Sequence, residues 1–437
     1  MRMRHDTRHP SASPFRSFLA CPAALLCGVL LCGNAAFAQQ QASAIGRTLM
    51  QDAAVTQALD AVRRNEPAII EEQIAICQIP APPFKEAVRA AAYKKRFQEL
   101  GLKNVRIDKE GNVLGERPGR AARPHLVFSA HLDTVFPEGT DVTVKRNGTV
   151  LAGPGISDDC RGLAVVIGVI RALNEAKIET PGTITFVGTV GEEGLGDLRG
   201  VKHLFNVELK DKVDRFVSVD GTGPPDVLHQ AVGSRRYRVT FSGPGGHSYG
   251  AFGLANPSHA LGRAIAQIAD VRVPETPKTT FNVGRVGGGT SVNSIATDAW
   301  MEIDMRSVDA NALKTLEGEV LSAIDRALAD ENARWNNRGK LTVEKKLVGD
   351  RPAGTVPRDA PISQAAGSTA QALGLPVTFT DGSQDPNYPI SLGIPSIGIS
   401  GGGQGNHAHS PDESFDTTDS WKGTQWALLV CLALAQP

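Results

Sequence analysis

Short apolar runs alternate with longer stretches of helical periodicity along most of this chain. AVRAAAYKKRFQELGL has an amphipathic pattern that stops at Gly101, which predicts a helix. HLVFSAHL reads as a buried strand ending at His131, and GLAVVIGVIRALNEA as a mostly apolar helix following Asp158 and Asp159. TITFVGTV and RFVSVD are strands, ending at Glu192 and Asp220. Strands that alternate with helices predict an α/β layer with a mainly parallel central sheet. Ahead of this pattern, Gln39 to about Ile45 looks like a loose tail, and helical spacing sets in from Leu49.

Near Val232 the pattern changes. RRYRVTFSG, FNVGRVGGG, AWMEIDMRSV and LTVEKKL alternate as strands, while HALGRAIAQIADV and LKTLEGEVLSAIDRALADENAR are helical. Two helices against an antiparallel sheet make a smaller α+β unit. After about Val348 the α/β pattern resumes through SQAAGSTAQALGL, PSIGIS and WKGTQWALLVCLALA. The expected order is a first catalytic part over 45–231, an inserted unit over 232–347 and a second catalytic part over 348–437.

Residues 1–38 are set apart by a basic start (Arg2, Arg4, Arg8, Arg16), an apolar stretch from Phe18 to Leu31 and the small-x-small site Ala36-Phe37-Ala38. This is the pattern of a secretory signal peptide, so the protein is expected to be exported, periplasmic or secreted. The whole chain has no net charge, and removing the leader leaves it slightly acidic. That gives no electrostatic case for a nucleic acid or an anionic membrane as partner. Cys77, Cys160 and Cys431 remain after the leader; three is odd, and their spacing suggests no disulfide framework. Cys431 lies in an apolar run and reads as core.

The candidate chemistry sits at the ends of the apolar runs: His131 and Asp133 in SAHLDTVF, Asp158 and Asp159 in GISDDCRG, Glu192 and Glu193 in VGEEG, Asp220 in SVDGTG, and His407 and His409 in NHAHSPDE. In parallel sheets functional groups gather beyond the carboxyl ends of the strands. Two histidines with several carboxylates suit a pair of Zn²⁺ ions. A carboxylate of the Asp pair can bridge two cations, although Asp is also a common helix N-cap. Adjacent Glu192 and Glu193 at a buried strand end repel each other unless a cation intervenes. Glu193 then reads as a ligand and Glu192 as the general base; a solvated acidic loop is the plainer alternative. Asp133 can fix the tautomer of His131. Asp220 would serve the other metal, although alone it is an ordinary turn residue. His407 and His409 lie two apart in NHAHS, and one of them is expected to be the ligand.

These motifs, in this order, resemble the dinuclear-zinc exopeptidase and deacylase family that includes glutamate carboxypeptidase, peptidase T, aminoacylase, acetylornithine deacetylase and succinyl-diaminopimelate desuccinylase. The resemblance runs from IPAPPFKEAVRA and GNVLGERPG to HSPDESFD. It implies a zinc-exopeptidase-like catalytic domain interrupted by a lid or dimerisation domain, and a homodimer through that insertion. It also implies that His131 and Asp220 bind one metal, Glu193 and His409 the other, and Asp158 both. The 158–159 peptide bond would be cis. His247 in GPGGHSYG resembles the histidine that the family's lid presents to the substrate carbonyl, often from the partner subunit. Asn293 and Arg306 resemble its substrate binders. Cys160 and Arg161 stand where Lys often follows the Asp pair, and Gln384 stands in place of Thr in DGSQD. A thiol at 160 reads as a small filler in preference to a soft ligand.

The expected protein is an exported metallopeptidase with two Zn²⁺ (Co²⁺ or Mn²⁺ as substitutes) acting on small peptides. The alternative is an N-acyl amino-acid deacylase with the same mechanism. A metal-dependent binding protein would need the ligands but not Glu192.

Overall fold

The computed structural model describes residues 41–437; the leader reading over 1–38 lies outside them. Residues 41–49 are helical, not a loose tail. Ala42 and Ile45 pack on the main core and Leu49 joins it, so their spacing makes one apolar stripe in a polar run. Gly46 lets this helix close on the next layer: its amide donates to Ser368 Oγ at 3.0 Å, and a Cβ there would lie 2.2 Å from the Ser368 carbonyl.

The main sheet is parallel at its centre. Thr183–Thr189, His125–His131, Arg215–Val219 and Ser396–Ile399 lie side by side in one direction. Lys103–Ile107 and Val113–Arg117 add antiparallel strands at one edge. Asp226–Ala231 continues the other side, with Gly354–Thr355 antiparallel to it and Thr378–Gly382 parallel. One large core lies between this sheet and helices Ala53–Cys77, Cys160–Glu175, Pro361–Ala372 and Trp421–Leu434. Helix Cys160–Glu175 buries all but a few side chains, which is why its sequence is apolar on every face. Cys431 is in this core, as its setting predicts. Among the described residues no helix is long and apolar enough to cross a membrane.

A second sheet has the antiparallel order Thr279–Gly288, Asp298–Ser307, Gly233–Ser242, Thr342–Arg351. Along Asp298–Ser307, Ala299, Met301, Ile303 and Met305 are buried against helices Pro257–Ala269 and Ala310–Arg334. The period of two therefore sends Asp304 and Arg306 to the opposite face. A small sheet that the apolar pattern does not reveal pairs Ser414–Asp416 with both Gln404–Asn406 and Val150–Ala152. It holds the 407–413 loop against the 153–159 loop.

Candidate metal centre

The sheet brings the acidic and histidine clusters to one edge. His131 is the last residue of its strand, and Asp220 directly follows Val219. Glu192 and Glu193 lie three and four residues beyond their strand, which ends at Thr189 and turns through Gly191 at φ +69°. His409 comes from the loop of the small sheet, with a left-handed φ of +65°.

Asp158 is at the centre. Its Oδ1 lies 2.9 Å from His131 Nε2, and its Oδ2 lies 3.0 Å from His409 Nε2. His409 Nε2 is also 3.1 Å from Glu193 Oε1. Ligand atoms of His131, Asp158 and Asp220 fall within 4.8 Å of one another, as do those of Asp158, Glu193 and His409. These are two sets able to hold a cation, with Asp158 common to both. His407 is in neither set.

The peptide bond between Asp158 and Asp159 is cis, and the two carboxylates divide the work. Asp159 caps helix Cys160–Glu175 by accepting from Gly162 N at 3.0 Å, and also accepts from His131 N at 2.9 Å. Such a cap contributes about 1 kcal/mol. Gly162 is required there, because a Cβ would stand 2.2 Å from Asp159 Oδ1. Cys160 is buried with Cys77, Ile70, Leu151, Ile156 and Phe415, a filler in a small core. Arg161 is buried too, donating to Gly401 O, Glu66 and Ser420 O.

Asp133 does not fix the His131 tautomer with its side chain. Its carboxylate is 3.7 Å from His131 Nδ1, while its backbone carbonyl is 3.0 Å away. A carbonyl only accepts, so Nδ1 carries a proton, which leaves Nε2 as the nitrogen that faces Asp158 and would meet a metal. The Asp133 carboxylate instead accepts from Glu192 N at 3.1 Å and Glu193 N at 2.8 Å. With a side chain this short, the turn after His131 sets the backbone carbonyl against the ring and leaves the carboxylate for the neighbouring loop.

The electrostatics favour cations. Glu192, Glu193, Asp158 and Asp220 converge on one buried edge. Burial pushes the Glu192 carboxyl well above the usual range and takes Asp220 up to about 8. His409 is raised to about 10 by its bonds to Asp158 and Glu193. Burial opposes a charge on His131, but its bond to Asp158 and the fields of Asp159 and Asp220 outweigh it and raise it well above its ordinary value. Burial likewise works against the Asp158 charge, and the bonds from His131 and His409 overcome it and lower its pKa. The carboxylates thus draw protons onto both imidazoles, in the place where cations would do the same work. A donor set of imidazole and carboxylate fits divalent transition metals, zinc among them.

Two supporting residues were not legible as such in the sequence. Glu413, inside the quoted HSPDE stretch, accepts from Gly155 N, Ser157 N, Ser157 Oγ and Asp158 N at 2.6–2.9 Å. Its position four residues past His409 is the only sequence signal for it. Arg351, at the end of the last strand of the second sheet, donates from Nη1 to Glu192 Oε1 at 2.9 Å and from Nη2 to the Glu192 carbonyl. Nothing in DRPAG marks it.

A cavity of about 370 Å³ opens over the cluster, lined on the other side by Arg236, Arg306, Arg351 and Gln384. Asp304 fixes two of these arginines, accepting from Arg236 Nε at 2.8 Å and Arg306 Nε at 2.7 Å. Arg306 therefore lines the cavity opposite the acidic cluster. His247 and Asn293 do not line this cavity. They lie together at an exposed two-stranded ribbon separate from the second sheet, where Gly246–His247 pairs with Ser294–Ile295 and Ser248 N donates to Asn293 O at 2.9 Å.

Comparison with known proteins agrees with this geometry. The profile of peptidase family M20/M25/M40 matches residues 127–432. The protein YqjE of Bacillus subtilis is 26% identical over 361 residues, spanning 77% of this chain and 91% of its own. Acetylornithine deacetylase of Edwardsiella ictaluri is 26% identical over 312 residues, 67% of this chain and 76% of its own. Among solved structures, a tripeptidase from Staphylococcus aureus superimposes with a TM-score of 0.69 at 23% identity, covering 85% of this chain and 99% of that one, a likeness of fold. The matched span contains every residue of the acidic and histidine edge, and the chain belongs to peptidase family M20/M25/M40, hydrolases that act on amide bonds.

Proposed function

We propose that this protein is a two-zinc hydrolase of small peptides that carry a free carboxylate, with Glu192 as its general base. His131 and Asp220 would hold one ion, Glu193 and His409 the other, and Asp158 both. Bound there, the metals supply Lewis acidity and a water of lowered pKa. Glu192 takes the proton of the attacking water and passes it to the leaving amine. Asp133 steadies the Glu192–Glu193 backbone, and Glu413 steadies the loop before Asp158. Arg306 receives the substrate carboxylate, which suits its planar fork. The observation that carries the reading is the Asp158 carboxylate, with one oxygen toward each histidine.

His247 and Asn293 lie outside their own chain's cavity. We propose that they reach the cavity of a second copy in a homodimer, with the unit over 232–347 serving as lid and dimerisation surface. Exposed Tyr249, Phe252 and Val292 beside them favour a protein contact there. Export after removal of residues 1–38 completes the proposal, and a mature N-terminus at Gln39 would be its mark.

The test is a turnover screen of the zinc-loaded protein on alanyl-alanine, trialanine, their C-terminal amides and N-acetyl-L-alanine. Cleavage of the free acids well ahead of their amides is expected. Faster cleavage of N-acetyl-L-alanine than of either peptide would move the reading to a deacylase, as acetylornithine deacetylase is named.

A further inference from the structure

Arg351 stands where the chain leaves the second sheet to rejoin the first, opposite Ser234 at the start of the strand by which it entered. Its side chain is buried, at 5% exposure. Its bonds go to Glu192 Oε1, to the Glu192 carbonyl and, at 3.3–3.4 Å, to Ser383 Oγ and O. One guanidinium thus grips both ends of the same glutamate.

The grip belongs to a wider strap. Arg236 Nη1 donates to Gly194 O at 2.9 Å. Asp350 N donates to Asp197 Oδ1 at 2.7 Å, and Lys202 Nζ donates to Asp350 O at 2.9 Å. Asp197 and Leu198 have left-handed φ of +54° and +57°, which non-glycine residues rarely keep without being held. Every one of these bonds joins the segment 192–202 to the root of the second sheet.

We infer that Arg351 is a positioning residue: it fixes the carboxylate of Glu192 in its reacting direction and makes that direction depend on how the second sheet is seated. The inference rests on Glu192 acting as the base. Its geometry differs from that of a substrate-binding arginine, because the Nη groups are directed at Glu192 and Ser383. A base displaced by about 1 Å loses on the order of 10²-fold in rate, so Arg351 acts on turnover and not on substrate affinity.

A double-mutant cycle on the zinc-loaded protein tests this, using the fastest-cleaved compound of the panel above. Arg351→Ala should lower kcat by about 10²-fold with KM changed less than about threefold and both metals retained. In the Glu192→Gln background the same substitution should change kcat by less than about threefold, because the group it positions is gone. Arg351→Lys should restore part of the loss, keeping the charge but not the fork. Should Arg351→Ala fail to fold, Arg351→Lys carries the same cycle. Equal fold-losses in the two backgrounds, or a raised KM with unchanged kcat, would overturn the inference. Normal turnover in Glu192→Gln, or no cleavage of any panel compound, would instead bring down the proposed function, and the inference with it.

Discussion

His409 Nε2 lies 3.0 Å from Asp158 Oδ2, although 251 residues separate them in sequence. The contact exists because Ser414–Asp416 pairs with Val150–Ala152 and because Glu413 ties down the amides before Asp158. The cluster is therefore assembled only when the last part of the chain folds onto the first.

Metal uptake should release protons. His409 is raised to about 10 by its carboxylate partners and His131 is raised well above its ordinary value, so both are protonated in the metal-free protein at pH 7. Zinc needs the neutral imidazole. Burial takes a third ligand, Asp220, to about 8. Calorimetric titration of Zn²⁺ into stripped protein, in two buffers of different ionisation heat, should therefore show at least two protons released per two ions bound, one from each imidazole with a further contribution from Asp220, and affinity rising with pH. In the stripped protein the raised His409 contributes stability below its ordinary value of 6.5, and that contribution is lost as pH rises through about 10. Uptake without proton release would contradict the assignment of the two histidines.

Asp133→Asn should keep the fold and weaken the site. The amide has one acceptor oxygen for the two backbone N–H groups that the carboxylate now serves. Residues supporting a metal site cost roughly 10–100-fold in affinity or activity when changed. Paired metal analysis and steady-state kinetics should show that loss with an unchanged far-ultraviolet dichroism spectrum. Wild-type values for both would mean that the carboxylate grip on the Glu192–Glu193 backbone is dispensable.

Mixing two inactive chains tests the proposed reach of His247. If it acts in the partner's cavity, a dimer of one Glu192→Gln chain with one His247→Ala chain contains one site with both residues intact. After statistical exchange of equal amounts half of the dimers are mixed, so activity should return to about a quarter of that of the same amount of native dimer, by simple counting of sites. Absence of recovery, with exchange verified, would leave His247 acting within its own chain or not at all.

Much of the site was legible because each ligand ends or follows an apolar run, and such runs in an α/β pattern predict strands whose carboxyl ends converge. His131 and Asp220 follow that rule directly. Glu192 sits three residues past its strand, so the rule located it but not its distance from the sheet. Sequence spacing pairs Asp133 with His131 because they are two apart; the backbone carbonyl does that work, and the carboxylate serves a loop 59–60 residues away. Arg351 was invisible for the same reason, since its bond to Glu192 spans 159 residues and no local pattern encodes it. The helix over 41–49 was hidden because its apolar stripe is only a few residues long within a polar stretch.

Turnover of Glu192→Gln at full metal loading tests the central claim most directly. The amide keeps the size of Glu192 and can still accept from Arg351, but it cannot take a proton from water. Metal analysis should find two ions per chain, as in the native protein, while kcat falls by roughly 10²–10⁴-fold. Near-native turnover in a fully loaded Glu192→Gln protein would contradict the account, because the proton would then be leaving by another route.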